Sequence, residues 1–119
     1  VSGRSKMIEA IFATGLPFGG RADLPETLRD LARVLPACAG VRRWGAAALD
    51  LAYVAAGRYD GFWERRLNSW DMAAGLLLVK EAGGIVEPLH PEGNALEDGE
   101  VICSNEALFN RFADVIRAA

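Results

Sequence analysis

The residues best able to do chemistry in this chain lie in two short loops, RRWGAA at 42–47 and ERRLNSWD at 64–71. In the first, Gly45 lets backbone approach a ligand closely, and the apolar stretch that follows reads as a helix whose leading N–H groups have no intrahelical partners. In the second, Glu64 ends a strand pattern and Asp71 falls in the first turn of the next helix. A carboxylate at a helix start is favoured by the helix dipole and suits a hard cation such as Mg²⁺. Each of these residues also has a plainer reading: Asp71 as a dipole partner, Glu64 as a solvated strand end, Gly45 as a packing residue. Spacing by itself therefore does not identify an enzyme. His90 stands without a nearby Cys or His and is set aside as a metal ligand. Asp50 interrupts an apolar helix and is expected to hydrogen-bond a neighbouring loop, because a buried carboxylate without partners is costly. No G-x-G-x-x-G, no G-x-x-x-x-G-K-[ST] and no Ser-His-Asp order is present, which leaves carboxylates and backbone amides as the reactive inventory.

Several elements must hold those loops. Residues 7–13 (MIEAIFA) read as a buried strand closed by Thr14, Gly15 and Pro17, with Glu9 its one awkward member. Pro25 stands at a first helical position, and Leu28, Leu31, Ala32 and Leu35 recur at helical spacing until Pro36, predicting a helix that packs through that stripe. Residues 37–43 predict a weak strand. Residues 45–56 predict an alanine-rich helix ending at Gly57, apolar enough to need cover on most sides. An aromatic strand is expected at 59–64 (YDGFWE). Ser69 is the expected cap of a helix over 70–82, closed by Gly83 and Gly84. Short strands at 85–88 and 100–103 flank the polar connection HPEGNALEDG, and Ser104 or Asn105 caps a last helix with the stripe Leu108, Phe109, Phe112, Val115 and Ile116. Strands alternating with helices predict an α/β fold over residues 1–119, with a mixed, mostly parallel sheet flanked by helices and one antiparallel strand after the long connection. Ligands in such sheets gather at the carboxyl ends of the strands, so both chemistry-bearing loops are expected to face one crevice.

Composition narrows the function. A chain of 119 residues with 51% hydrophobic and 24% charged residues forms one globular core. A net charge of −3 argues against nucleic acid as the main partner, since the pairs Arg42-Arg43 and Arg65-Arg66 are too small a basic patch. Cys38 and Cys103 form no C-x-x-C, so neither a disulfide scaffold nor a zinc knuckle is supported and a cytoplasmic protein is expected. No apolar run approaches the roughly twenty residues of a membrane span. Because the chain enters an apolar run from Met7 almost at once, it reads as a piece of a longer polypeptide.

Trp70-Asp71-Met72-Ala73-Ala74-Gly75, followed by Glu81-Ala82-Gly83-Gly84, closely resembles the W-D-x-A-A-G…E-A-G-G signature of the inositol monophosphatase family. The likeness extends through ATGLPF at 13–18, RRWGAAALDLAYVAAGRYDGFWE at 42–64 and CSN at 103–105, covering essentially the whole chain. The resemblance implies the carboxyl-terminal domain of the sugar-phosphatase fold shared with fructose bisphosphatase. It also implies a phosphatase in which carboxylates hold two or three Mg²⁺ ions and a metal-activated water attacks phosphorus. By the same match Asp71 falls on a metal-ligand aspartate, Glu64 on a residue that hydrogen-bonds a polyol hydroxyl, and Gly45, Ala46 and Ala47 on a substrate-contacting helix start. Many relatives carry Ser or Thr where this chain has Ala46, which removes a hydroxyl and leaves the choice of polyol open.

The family's D-P-x-D-G-T motif and an upstream glutamate occur nowhere in these residues, so the chain is expected to be the carboxyl-terminal half, with no catalytic residue of its own and no activity alone. The expected partners are a small phosphorylated polyol, the missing amino-terminal half and a second copy in a homodimer, without nucleic acid or membrane. Esters such as 3′-phosphoadenosine 5′-phosphate, histidinol phosphate and fructose bisphosphate are alternative substrates. A stand-alone, non-catalytic binding module is the alternative from a different class.

Overall fold

The computed structural model describes residues 1–16, 19 and 24–118. Its strands are β1 (Ile11–Thr14), β2 (Gly40–Arg42), β3 (Gly61–Glu64), β4 (Ile85–Pro88) and β5 (Val101–Ser104). Its helices are α1 (Leu24–Val34), α2 (Ala47–Ala55), α3 (Ser69–Glu81), α4 (Ala95–Asp98) and α5 (Glu106–Arg117). The five strands form one sheet in the order β2-β1-β3-β5-β4. β1 pairs in parallel with both β2 and β3, and β5 lies antiparallel between β3 and β4. The mixed, mostly parallel sheet is therefore the expected one, and its single reversed strand follows the 90–99 connection.

Side-chain alternation along the strands splits the core into two layers. Phe12, Trp63 and Ile102 face α1 and α5, where the Phe12 ring stacks on Phe112 with centroids 4.0 Å apart. Ala13, Phe62, Val101 and Cys103 face α2 and α3 and meet Leu51, Val54, Met72, Leu76 and Val79. Complete burial of Phe12, Phe62 and Trp63 contributes about 2–3 kcal/mol each relative to exposure. The α2 and α3 backbones approach so closely that a Cβ on Gly75 would lie 2.6 Å from the Leu51 Cβ. Any larger residue at 75 would force the pair apart. Burial pushes the Cys103 thiol up to about 12 and makes it a packing residue. Among the described residues no helix is long and apolar enough to cross a membrane.

Three local expectations are corrected. Residues 7–13 do not form one strand: Met7–Glu9 is a 3-10 turn and the strand starts at Ile11. A strand through Glu9 would have put its carboxylate on the same face as buried Ala13. The turn sends it instead to solvent, 3.8 Å from Arg4. Helix α1 presents Thr27, Asp30 and Val34 inward and leaves Leu28 and Leu35 exposed, so the apolar stripe is not the buried face. Asp30 is drawn inside because a partly buried arginine, Arg65, binds it. The cap of α3 is Asn68 rather than Ser69, which is already helical. Asn105 caps α5 as expected, its Oδ1 accepting the Leu108 N–H at 2.9 Å.

Candidate functional site

Parallel β1, β2 and β3 end at the same edge of the sheet, so the segments that follow them converge. They enclose a cleft of about 390 Å³. Gly45, Ala46, Ala47, Glu64 and Asp71, the five residues singled out in the sequence, all line it. Pro17 and Phe18 of the ATGLPF segment lie outside the described residues.

On one wall, Gly45 takes a left-handed backbone (φ 83) and turns the chain into α2. Ala46 occupies the helix cap in an extended conformation, and no side chain caps this end. The first intrahelical bond is donated by the Asp50 N–H to the Ala46 carbonyl at 3.0 Å. The N–H groups ahead of it therefore have no partner within the helix and suit an anionic or hydroxyl oxygen. Alanine at 46 helps here, since a capping side chain would compete for those donors.

On the other wall, β3 delivers Glu64 and α3 delivers Asp71. Asp71 Oδ2 accepts the Asn68 N–H at 3.2 Å, the returning half of a capping box, and the helix N-terminus favours its negative charge. Glu64 is seated by a residue the sequence reading did not single out. A Cβ on Gly15 would lie 2.3 Å from the Glu64 carboxyl carbon, so a larger residue there would displace that carboxylate from its place. The register makes the meeting obligatory: Thr14 pairs with Trp63, and its hydroxyl donates to the Trp63 carbonyl at 2.6 Å. Arg66 also lines the cleft and was not foreseen as a site residue. It is the one non-glycine residue with positive φ (60) among those described.

One position along β3, the side chains change face. Arg65 points away from the cleft and clamps buried Asp30 in two bonds, Nε to Oδ2 at 2.9 Å and Nη2 to Oδ1 at 3.1 Å. The Trp63 indole donates to the same Oδ2 at 3.2 Å, and Arg65 Nη1 reaches Glu100 at 3.3 Å. This network anchors the strand end that carries Glu64. It borders a second cleft, of about 410 Å³, in which Asp30, Arg65 and Glu100 are paired with one another.

Asp50 does not meet the loop partner expected of it. The residue is 1% exposed, and both carboxylate oxygens lack a hydrogen bond among the described residues. Desolvation pushes it up to about 6. Nor do the described residues assemble a metal centre: no three His, Cys, Asp or Glu side chains come together to hold an ion. A hard divalent cation takes about six oxygen ligands, more than the described residues bring together, so a single carboxylate such as Asp71 could be at most one member of a larger set.

Comparison with known proteins decides the family. A model of the inositol monophosphatase family matches residues 1–119. The chain belongs to the inositol monophosphatase family. It is 48% identical over 117 residues to the inositol-1-monophosphatase of Rhizobium meliloti (strain 1021), covering 98% of this chain and 44% of that protein. It is 45% identical over 119 residues to the Nus factor SuhB of Pseudomonas aeruginosa, covering 98% of this chain and 44% of the relative. Its fold superposes on the crystal structure of the extragenic suppressor protein suhB from Bartonella henselae with a TM-score of 0.93 at 40% identity, over all of this chain and 45% of the other. The chain thus spans a little under half the length of the inositol monophosphatase family members it matches.

Proposed function

We propose that this chain is the carboxyl-terminal half of a Mg²⁺-dependent phosphomonoesterase that hydrolyses a small polyol or sugar phosphate. The observation that carries the reading is the convergence of Gly45, Ala46, Ala47, Glu64 and Asp71 on one cleft, in a family with members named inositol-1-monophosphatase. The N–H groups at the start of α2 bind substrate oxygens, and Glu64 accepts a hydrogen bond from a polyol hydroxyl. Asp71 supplies one oxygen to Mg²⁺, whose remaining ligands belong to the amino-terminal half. The chemistry Mg²⁺ supplies in such a phosphatase is charge neutralisation on the phosphoryl oxygens and activation of water. Leu49, Leu77 and Leu78 stand exposed on α2 and α3, which supports a face covered by that other half or by a second copy in a homodimer. Cytoplasmic residence belongs to the same reading.

A second reading, a non-catalytic interaction module, draws support from the Pseudomonas relative, which is named for a Nus factor. Phosphate release from inositol 1-phosphate separates the two, measured with and without Mg²⁺ on this chain and on a version extended at its amino terminus. The phosphatase reading expects turnover in the extended protein alone and only with Mg²⁺. Turnover by the 119-residue chain would contradict the half-site, and a folded extended protein inert towards a panel of phosphate esters would favour the interaction module.

A further inference from the structure

Resting on that reading of the cleft, we infer that Asp60 and Asn105 are positioning residues: they hold the segment that enters this half, and so fix where the amino-terminal half brings its metal ligands. Residues 1–6 have no helix or strand of their own, yet they cross from one layer of the core to the other. The Val1 side chain packs against the α2 and α3 layer, and Met7 packs against the α1 and α5 layer. Between them, Asp60 Oδ1 accepts the Ser2 hydroxyl at 2.6 Å, and Oδ2 accepts the Arg4 Nε–H at 3.2 Å. Asn105 Nδ2 donates to the Ser2 carbonyl at 3.0 Å and to the Arg4 carbonyl at 2.8 Å, and it also lies 3.0 Å from Ser2 Oγ. The Asn105 N–H reaches the Asp60 carbonyl at 3.3 Å, which joins the two residues into one clamp.

The clamp is buried, with Asp60 5% and Asn105 2% exposed, and a buried carboxylate is costly unless its lone pairs are met. Asp60 meets two of its three bonds with a segment that adds nothing to the sheet. Its third bond ties the same carboxylate to the sheet, since Oδ2 accepts the N–H of Ile11, where β1 begins, at 2.7 Å. β1 and β3 both run from this point to the cleft, where Gly15 and Glu64 meet, roughly 13 Å away along β3. One side chain therefore joins the entering segment to the two strands that deliver the site. In the half-site reading the rest of the protein arrives through this segment, and Asp71 completes a metal set only if that half is placed accurately. A misplacement of about 1 Å caused far from the chemistry can cost about 100-fold in rate.

The test uses the amino-terminally extended protein, spin-labelled at Glu92→Cys and at one cysteine introduced in the amino-terminal half. Distances between the labels are read by pulsed electron spin resonance, and phosphate release from inositol 1-phosphate is titrated with Mg²⁺. Two variants release the segment without touching the cleft. Ser2→Ala with Arg4→Ala strips it from Asp60 and leaves the Ile11 bond, and Asn105→Ser keeps a cap for α5 but has no amide to reach it. Both are expected to broaden the distance distribution and to raise the Mg²⁺ concentration at half-maximal rate about tenfold, whereas Ser2→Thr, which keeps the hydroxyl, should match the parent. Ile116→Val, in the core away from the clamp, should lower the thermal midpoint and leave both readouts unchanged. Unchanged distances, or an unchanged Mg²⁺ requirement, in both released variants would overturn the proposal and make the clamp purely structural. If the parent hydrolyses no phosphate ester, the phosphatase reading fails, while the distances still decide whether the clamp positions the amino-terminal half.

Discussion

Asp30 and Asp50 are the same residue at the same burial, each 1% exposed on a helix packed against one sheet, yet their surroundings are opposite. Asp30, on the α1 and α5 side, accepts two bonds from Arg65 and one from the Trp63 indole. Asp50, on the α2 side, has no partner for either oxygen among the described residues, and desolvation holds it near 6. A buried carboxylate is tolerable when its lone pairs are met and costly when they are not. Asp30 is thus fully met and Asp50 is not, and Asp50 sits on the helix whose start forms the cleft. Family members are more than twice as long as this chain, and we read Asp50 as awaiting a donor from that additional length.

The largest effect is expected at Asp30. Asp30→Ala removes the carboxylate shared by Arg65 and the Trp63 indole and should destabilise the fold by about 2–3 kcal/mol in denaturant titration. A loss under about 1 kcal/mol would mean that the other partners of Arg65, Glu100 among them, suffice for it. Next, Gly15→Ala places a methyl where the Glu64 carboxylate sits, so Glu64 must move. That change should cost the fold little, since the clash is with the end of a flexible side chain, and weaken substrate binding by the extended protein. Retained affinity would remove Glu64 from the substrate contacts.

A further effect sharpens the contrast from Asp50. Because the folded-state value of Asp50, about 6, exceeds the unfolded value of about 3.9, the folded chain holds the extra proton between them. Stability contributed by the protonated form is present below pH about 4 and is lost as pH rises through about 6. In the isolated chain Asp50→Asn should flatten that dependence and add about 1–2 kcal/mol at pH 7, measured by thermal unfolding across pH. In the extended protein the gain should shrink or reverse if a donor arrives there. Identical behaviour in both would contradict a missing partner.

Much of the cleft was legible because its residues are local. The loops 42–47 and 64–71 each join a strand to a helix, and glycine endings such as Gly83 (φ 91) mark the ends of those helices directly. What was illegible depends on residues far apart in the chain. The inward turn of α1 rests on Asp30 meeting Arg65, 35 positions away, so the more apolar Leu28 stripe misled. Gly15 reads as an ordinary turn glycine until β1 is known to lie beside β3. Arg66 carries no signal in sequence, since a left-handed backbone at arginine follows from the anchors on either side of it, Arg65 held by Asp30 and the Leu67 N–H bonded to the Gly99 carbonyl.

The most direct test of the account compares Mg²⁺ titrations of phosphate release by the extended protein and by its Asp71→Asn variant, with folding checked by circular dichroism. The account predicts that the substitution lowers kcat/KM by about 100-fold or more and raises the Mg²⁺ concentration required, because a charged ligand is lost. A folded Asp71→Asn enzyme within about twofold of the parent at every Mg²⁺ concentration would contradict the placement of the metal in this cleft.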